Sequence, residues 1–108
     1  MNSANFRREE DLDEDGYRFV RFYDGEMLME KQSYRPDGTL TSKVVYEWDL
    51  TVSQRSPVRW KAFDQNGNLE NSVEHVGFDE AGSPEEGVMY DPEGREIHRV
   101  QLRARPRG

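Results

Sequence analysis

Residues 63–69 read FDQNGNL, and the phrase keeps returning. FDEAG occupies 78–82, YDPEG 90–94 and YRPDG 34–38, the last with arginine in the second place. YDG at 23–25 is a shorter form, and DEDG at 13–16 lacks the leading ring. Each part has a physical job. An aspartate caps a turn by accepting from backbone N–H groups two or more residues on, and glycine supplies the positive φ that closes it. Pro36 and Pro92 stand where a type I turn favours a fixed negative φ. A ring ends one strand before the turn, and Leu40, Leu69 or Ile97 begins the next.

The turn glycines fall at 16, 25, 38, 67, 82 and 94. Such spacing fits antiparallel strands of about five to ten residues joined by hairpins. The long gap from 38 to 67 predicts one disguised turn. Between turns, TLTSKVVYEWDL places Leu40, Val44, Tyr46, Trp48 and Leu50 on one face. EIHRVQL aligns His98, Val100 and Leu102. GSPEEGVMY is too rich in Gly, Pro and Glu to read as a strand before Val88, and no stretch reads as a substantial helix. The predicted fold is all-β: an antiparallel meander of about six to eight short strands in consecutive hairpins, forming a twisted sheet or small roll. The predicted organisation is a flexible acidic N-terminal arm over 1–16, one hairpin-repeat domain over 17–103 and a basic tail over 104–108.

Composition bounds the rest. A chain of 108 residues holds one domain. Leu, Ile, Val and Phe are thin for a globular core, but twelve aromatic residues argue against disorder. Such a domain is expected to bury further surface against a partner or in a homodimer. No apolar run suits a membrane span, and no apolar leader opens the chain, so the expected location is cytoplasmic. The absence of cysteine excludes disulfides, thiolate metal sites and cysteine nucleophiles. Of the net charge of −7, residues 1–16 contribute −4 (two Arg, six acids) and 17–94 contribute −7 (eight Lys/Arg, fifteen acids). Residues 95–108 contribute +4 (five Arg, one Glu). An acidic body repels nucleic acid, so direct nucleic-acid binding is not expected, and RVQLRARPRG reads as a solvated end.

DLDEDG at 11–16 imitates half of a calcium loop. The twelfth position from Asp11, where such a loop places a bidentate Glu, is Phe22. Asp13–Gly16 is therefore expected to be a turn, and no metal or cofactor site is expected. His75 and His98 fall in expected strands without ligand spacing, and no hydrolase elbow, zinc motif or phosphate loop occurs. The chain is expected not to be an enzyme.

The repeated aromatic-Asp-x-x-Gly-x-apolar phrase, best seen in FDQNGNL and YDPEGREI, resembles the YD repeat of Rhs-type proteins. It also resembles the MORN-type repeat, which occurs in small antitoxins too. The resemblance covers about residues 17–103, with irregular spacing and no phrase in 49–62. It implies stacked hairpins and, by analogy, an interaction role.

The break in the repeat draws attention to YEWDLTVSQRSPVRWKAF, residues 46–63. It contains both tryptophans and is basic within an acidic body. Loops interrupting a regular scaffold often carry function, and Trp and Arg are the commonest interface anchors. Trp48, Arg55, Arg59 and Trp60 are the expected partner-binding residues. The expected function is a non-enzymatic protein-binding module, acting as an antitoxin, immunity protein or inhibitor. The alternative is an acidic nucleic-acid mimic that blocks a nuclease or other nucleic-acid enzyme, of the phage anti-defence type.

Overall fold

The computed structural model describes residues 6–102. Eight strands follow one another: β1 (Phe6–Leu12), β2 (Arg18–Asp24), β3 (Met27–Tyr34), β4 (Leu40–Glu47), β5 (Arg59–Asp64), β6 (Leu69–Phe78), β7 (Pro84–Tyr90) and β8 (Glu96–Gln101). All pair antiparallel with their chain neighbours in one open sheet of order β1 to β8. No helix lies among the described residues, so none is long and apolar enough to cross a membrane.

The turn phrase builds this meander. At Asp64 the backbone N–H donates to the Asn68 carbonyl (2.9 Å), and the Gly67 N–H donates back to the Asp64 carbonyl (3.0 Å). Gly67 and Asn68 thus face a single aspartate, the pattern of a type I turn closed by a glycine bulge. The Asp64 carboxylate accepts from the N–H groups of Asn66 and Asn68, each at 2.9 Å. The same bonds recur at Asp13, Asp79 and Asp91. At 35–39 arginine replaces the capping aspartate, and Asp37 serves the Thr39 N–H instead. The Asp13 carboxylate is thus engaged as a turn cap.

The disguised turn is Asp49–Ser53. Val52 stands in the glycine place, its N–H donating to the Asp49 carbonyl (2.9 Å), and the Asp49 carboxylate accepts from the Thr51 N–H (3.0 Å). Among the described residues no non-glycine residue has positive φ, and this turn does not close into a hairpin. The chain runs on as an irregular loop until β5.

Three expectations need correction. The flexible arm over 1–16 is instead β1 and a tight turn: Phe6–Leu12 pairs along β2, and residues 1–5 lie outside the described residues. Backbone pairing and ion pairs hold this acidic strand, including Arg21–Asp11 at 2.6 Å and Arg18–Glu10 at 3.5 Å. The sheet therefore starts before residue 17. The alternation from Leu40 to Leu50 stops at Glu47, because the Asp49 cap turns the chain and takes Trp48 and Leu50 off the strand. Pro84–Tyr90 does form a strand, with Gly87 opposite His75 and Val100. The tail over 104–108 lies outside the described residues.

The two faces of the sheet differ. On one, a row crosses five strands as Glu47, Arg59, Glu74, Val88 and Arg99. Arg59 bridges Glu47 and Glu74 at 3.0 Å each, and Arg99 bridges Glu86 (2.9 Å) and Glu96 (3.1 Å). The Tyr90 hydroxyl donates to Glu74 at 3.2 Å. Val88, between Glu74 and Arg99, is wholly buried. Val20, between Glu10 and Gln32, is 2% exposed. These valines are the only buried hydrophobic residues among those described. Long paired side chains roof them with their aliphatic stems.

Candidate partner-binding surface

The opposite face carries the apolar surface. Tyr46, Trp60, Val73, Met89 and His98 lie directly opposite one another across β4 to β8, forming one row without an ionised carboxylate, lysine or arginine. Beside it His75, Gly87 and Val100 form a second row. Ring contacts stitch the strip: Tyr46 and Trp60 have centroids 5.9 Å apart, and Trp60 and His75 meet edge-on at 4.9 Å. Burial raises the Tyr46 pKa above its ordinary value. Because Gly87 lacks a side chain, a groove of about 200 Å³ opens there, walled by Trp60, Val73, His75, Met89, Val100 and Leu102. Val100 and Leu102, at the sheet edge, remain 41% and 47% exposed.

The irregular loop joins this strip at one end. The Pro57 carbonyl meets His75 Nδ1 at 2.7 Å, which makes Nδ1 the protonated nitrogen while it donates there, and the His75 N–H donates to the Val58 carbonyl (2.9 Å). Trp48 Nε1–H donates to the Leu28 carbonyl (2.9 Å). In the loop's middle, the buried Ser53 hydroxyl donates to the Gly82 carbonyl and accepts from the N–H groups of Arg55 (3.1 Å) and Ser56 (3.2 Å). Irregular as it is, the loop is tied at Trp48, Ser53 and Pro57. Leu50 (51% exposed) and Val52 (43%) are held out into solvent beside Arg55. Leu50, Val52, Arg55 and the Glu80–Gly82 turn line a polar cleft of about 390 Å³.

The four expected residues therefore separate. Trp60 belongs to the strip. Trp48 anchors the loop through its indole N–H. Arg59 lies on the other face, where hydrogen bonds to Glu74 and then Glu47 raise its pKa. Arg55 alone projects from the loop. Among the described residues it is the one arginine whose side chain meets no hydrogen-bond partner, carboxylate or ring. Val73, Met89 and Ser53 were not expected. Finding Val73 and Met89 requires cross-strand register, and the Ser53 bond spans 29 residues.

A cavity of about 570 Å³ lies over β1 to β4, between Phe6, Phe22, Tyr23, Met29, Val45 and Tyr46. Its ionic neighbours are engaged within the chain. Arg7 donates to the Gly25 carbonyl and lies 4.2 Å from the Tyr23 ring, Arg8 pairs with Glu10, and Glu30 accepts from Gln32. It offers apolar contact. Among the described residues, no group of three or more His, Asp or Glu side chains is arranged to hold a metal ion.

No family model, no curated protein and no solved structure matches this chain. The likeness to YD and MORN repeats rests on the quoted residues.

Proposed function

We propose that the chain is a non-enzymatic protein-binding module, acting as an antitoxin, immunity protein or inhibitor, and that its partner docks on the 48–58 loop. The observation that carries this reading is Arg55. Every other described arginine has a partner within the chain, whereas Arg55 is presented with Leu50 and Val52 on a loop that Ser53 fastens to Gly82. A loop fastened in advance loses less entropy on binding. An arginine flanked by apolar side chains is a common interface anchor, and it suits a carboxylate on the partner.

The acidic-mimic reading draws less support. Glu10, Asp11, Glu47, Glu74, Glu86 and Glu96 face arginines. Asp13, Asp64, Asp79 and Asp91 face their own turn amides. Carboxylates so engaged make weak imitations of a phosphate row.

The test is co-purification of tagged chain from its native host at moderate salt, with wild type and Arg55→Glu in parallel. A protein retained by wild type and lost from a folded Arg55→Glu chain supports the reading. A partner retained equally by both, or one released steeply by modest salt, turns it toward the acidic alternative.

A further inference from the structure

We infer that the apolar strip of β4 to β8 is the face of a homodimer, covered by the same strip of a second copy. A sheet normally packs one face against a second layer, yet among the described residues this sheet has none and Val20 and Val88, both on its charged face, are the only buried hydrophobic side chains. The strip is left uncovered on the opposite face.

Its charge selects the occupant. The chain carries −7, and two copies brought together through the charged face would set ionised groups against like groups. The Tyr46–Trp60–Val73–Met89–His98 row and the His75–Gly87–Val100 row hold no carboxylate, lysine or arginine. Two strips can therefore meet with no carboxylate, lysine or arginine of one row facing a like charge. A strongly charged partner would find nothing there to pair with.

Its size sets the strength. Five strands about 4.8 Å apart, with two same-face rows about 6.8 Å apart, present on the order of 300 Å². Two such faces bury about 600 Å², in the range of weak, transient contacts rather than of permanent ones. The dimer is accordingly weak and reversible. Two sheets stacked face to face about 10 Å apart form a β-sandwich. A two-fold axis at Val73, on the middle strand, sets Trp60 over the partner's Met89 and Tyr46 over the partner's His98, and the contact closes on itself. The Arg55 loop lies at the strip's end, so this inference is independent of what docks there.

Sedimentation equilibrium of the full chain from about 1 to 200 µM tests it. Wild type should rise from 12.7 kDa toward twice that mass. Met89→Lys lies on β7, away from the sheet edge, and its long side chain can reach water in the monomer. It should stay at one copy throughout. Val100→Glu replaces a side chain already 41% exposed, so it should keep the far-ultraviolet circular dichroism of wild type and also stay monomeric. A wild type at one copy at 200 µM overturns the inference. So does a dimer that survives both substitutions, which would place the contact at a strand edge or the charged face.

Discussion

The hydroxyl of Ser53 donates to the carbonyl of Gly82, tying the one loop that breaks the repeat to the turn that joins β6 and β7. The same oxygen accepts from two loop amides. Gly82 leaves the room: a Cβ there would stand 3.0 Å from Ser53 Oγ. Ser53→Ala leaves the buried Gly82 carbonyl and two part-buried amides without this partner. We expect a loss of about 1–3 kcal/mol by urea unfolding, the cost of unsatisfied buried polar groups. An unchanged midpoint would mean the loop is not held through this contact.

Gly94 takes φ +87 with nothing within 4 Å of a Cβ. Its substitution therefore reads backbone strain without a clash. Gly94→Val should cost about 1–3 kcal/mol and Gly94→Asn clearly less, since Asn tolerates left-handed backbone. Equal costs in thermal unfolding would contradict a strain origin.

These turns were legible because their determinants lie within five residues: a ring, an aspartate, a glycine. The disguised turn was legible only as a gap, since Val52 supplies no glycine signal and Asp49 alone caps it. β1 was not legible. FRREEDL has no alternation, and its hold on β2 comes from backbone pairing and cross-strand pairs such as Arg21–Asp11. β7 was hidden by Gly87, whose missing side chain is what opens the groove. The 48–58 loop could be singled out as irregular. That Arg59 is locked while Arg55 is free depends on register, which aligns Arg59 with Glu47 and Glu74.

That register gives a prediction of sign. Arg59→Glu would put three carboxylates in adjacent places across β4, β5 and β6. Arg59 is 40% exposed, so solvent moderates the repulsion, and we expect a loss of about 1–2 kcal/mol. Arg59→Met keeps the stem and should cost no more than about 1 kcal/mol. Both are read from urea midpoints. A neutral Arg59→Glu would mean the ladder contributes nothing to stability.

Acid should unfold the chain through its turn caps. The Thr51 hydroxyl, then its amide, holds the Asp49 carboxyl below the ordinary 3.8. The Arg95 amide does the same for Asp91 before its guanidinium adds to it. A carboxyl lowered in the folded state stabilises above its unfolded pKa, and that contribution is lost as pH falls through the lowered value. Melting temperature should hold between about pH 5 and 7 and drop below about pH 4. Asp91→Asn should melt lower than wild type at pH 7 and approach it near pH 2. Parallel curves would exclude Asp91 from the acid transition.

The last prediction separates the Arg55 loop from the acidic surface. Arg55→Glu should leave stability within about 0.5 kcal/mol, because its side chain has no partner within the chain to lose. Against the partner captured from the native host it should cost about 2 kcal/mol or more, roughly thirtyfold in Kd, as loss of an anchor does. Glu14, Glu26 and Glu70 are exposed and lie apart from the ion-paired ladder. Reversing all three to lysine changes the field without removing a cross-strand pair. Such a change acts mainly on association rate and its salt dependence, so the triple variant should bind within a few-fold at moderate salt. Surface plasmon resonance at two salt concentrations distinguishes the two. Normal binding by Arg55→Glu together with collapse in the triple variant would move the interface from the loop to the acidic surface, and the function from partner docking to charge mimicry.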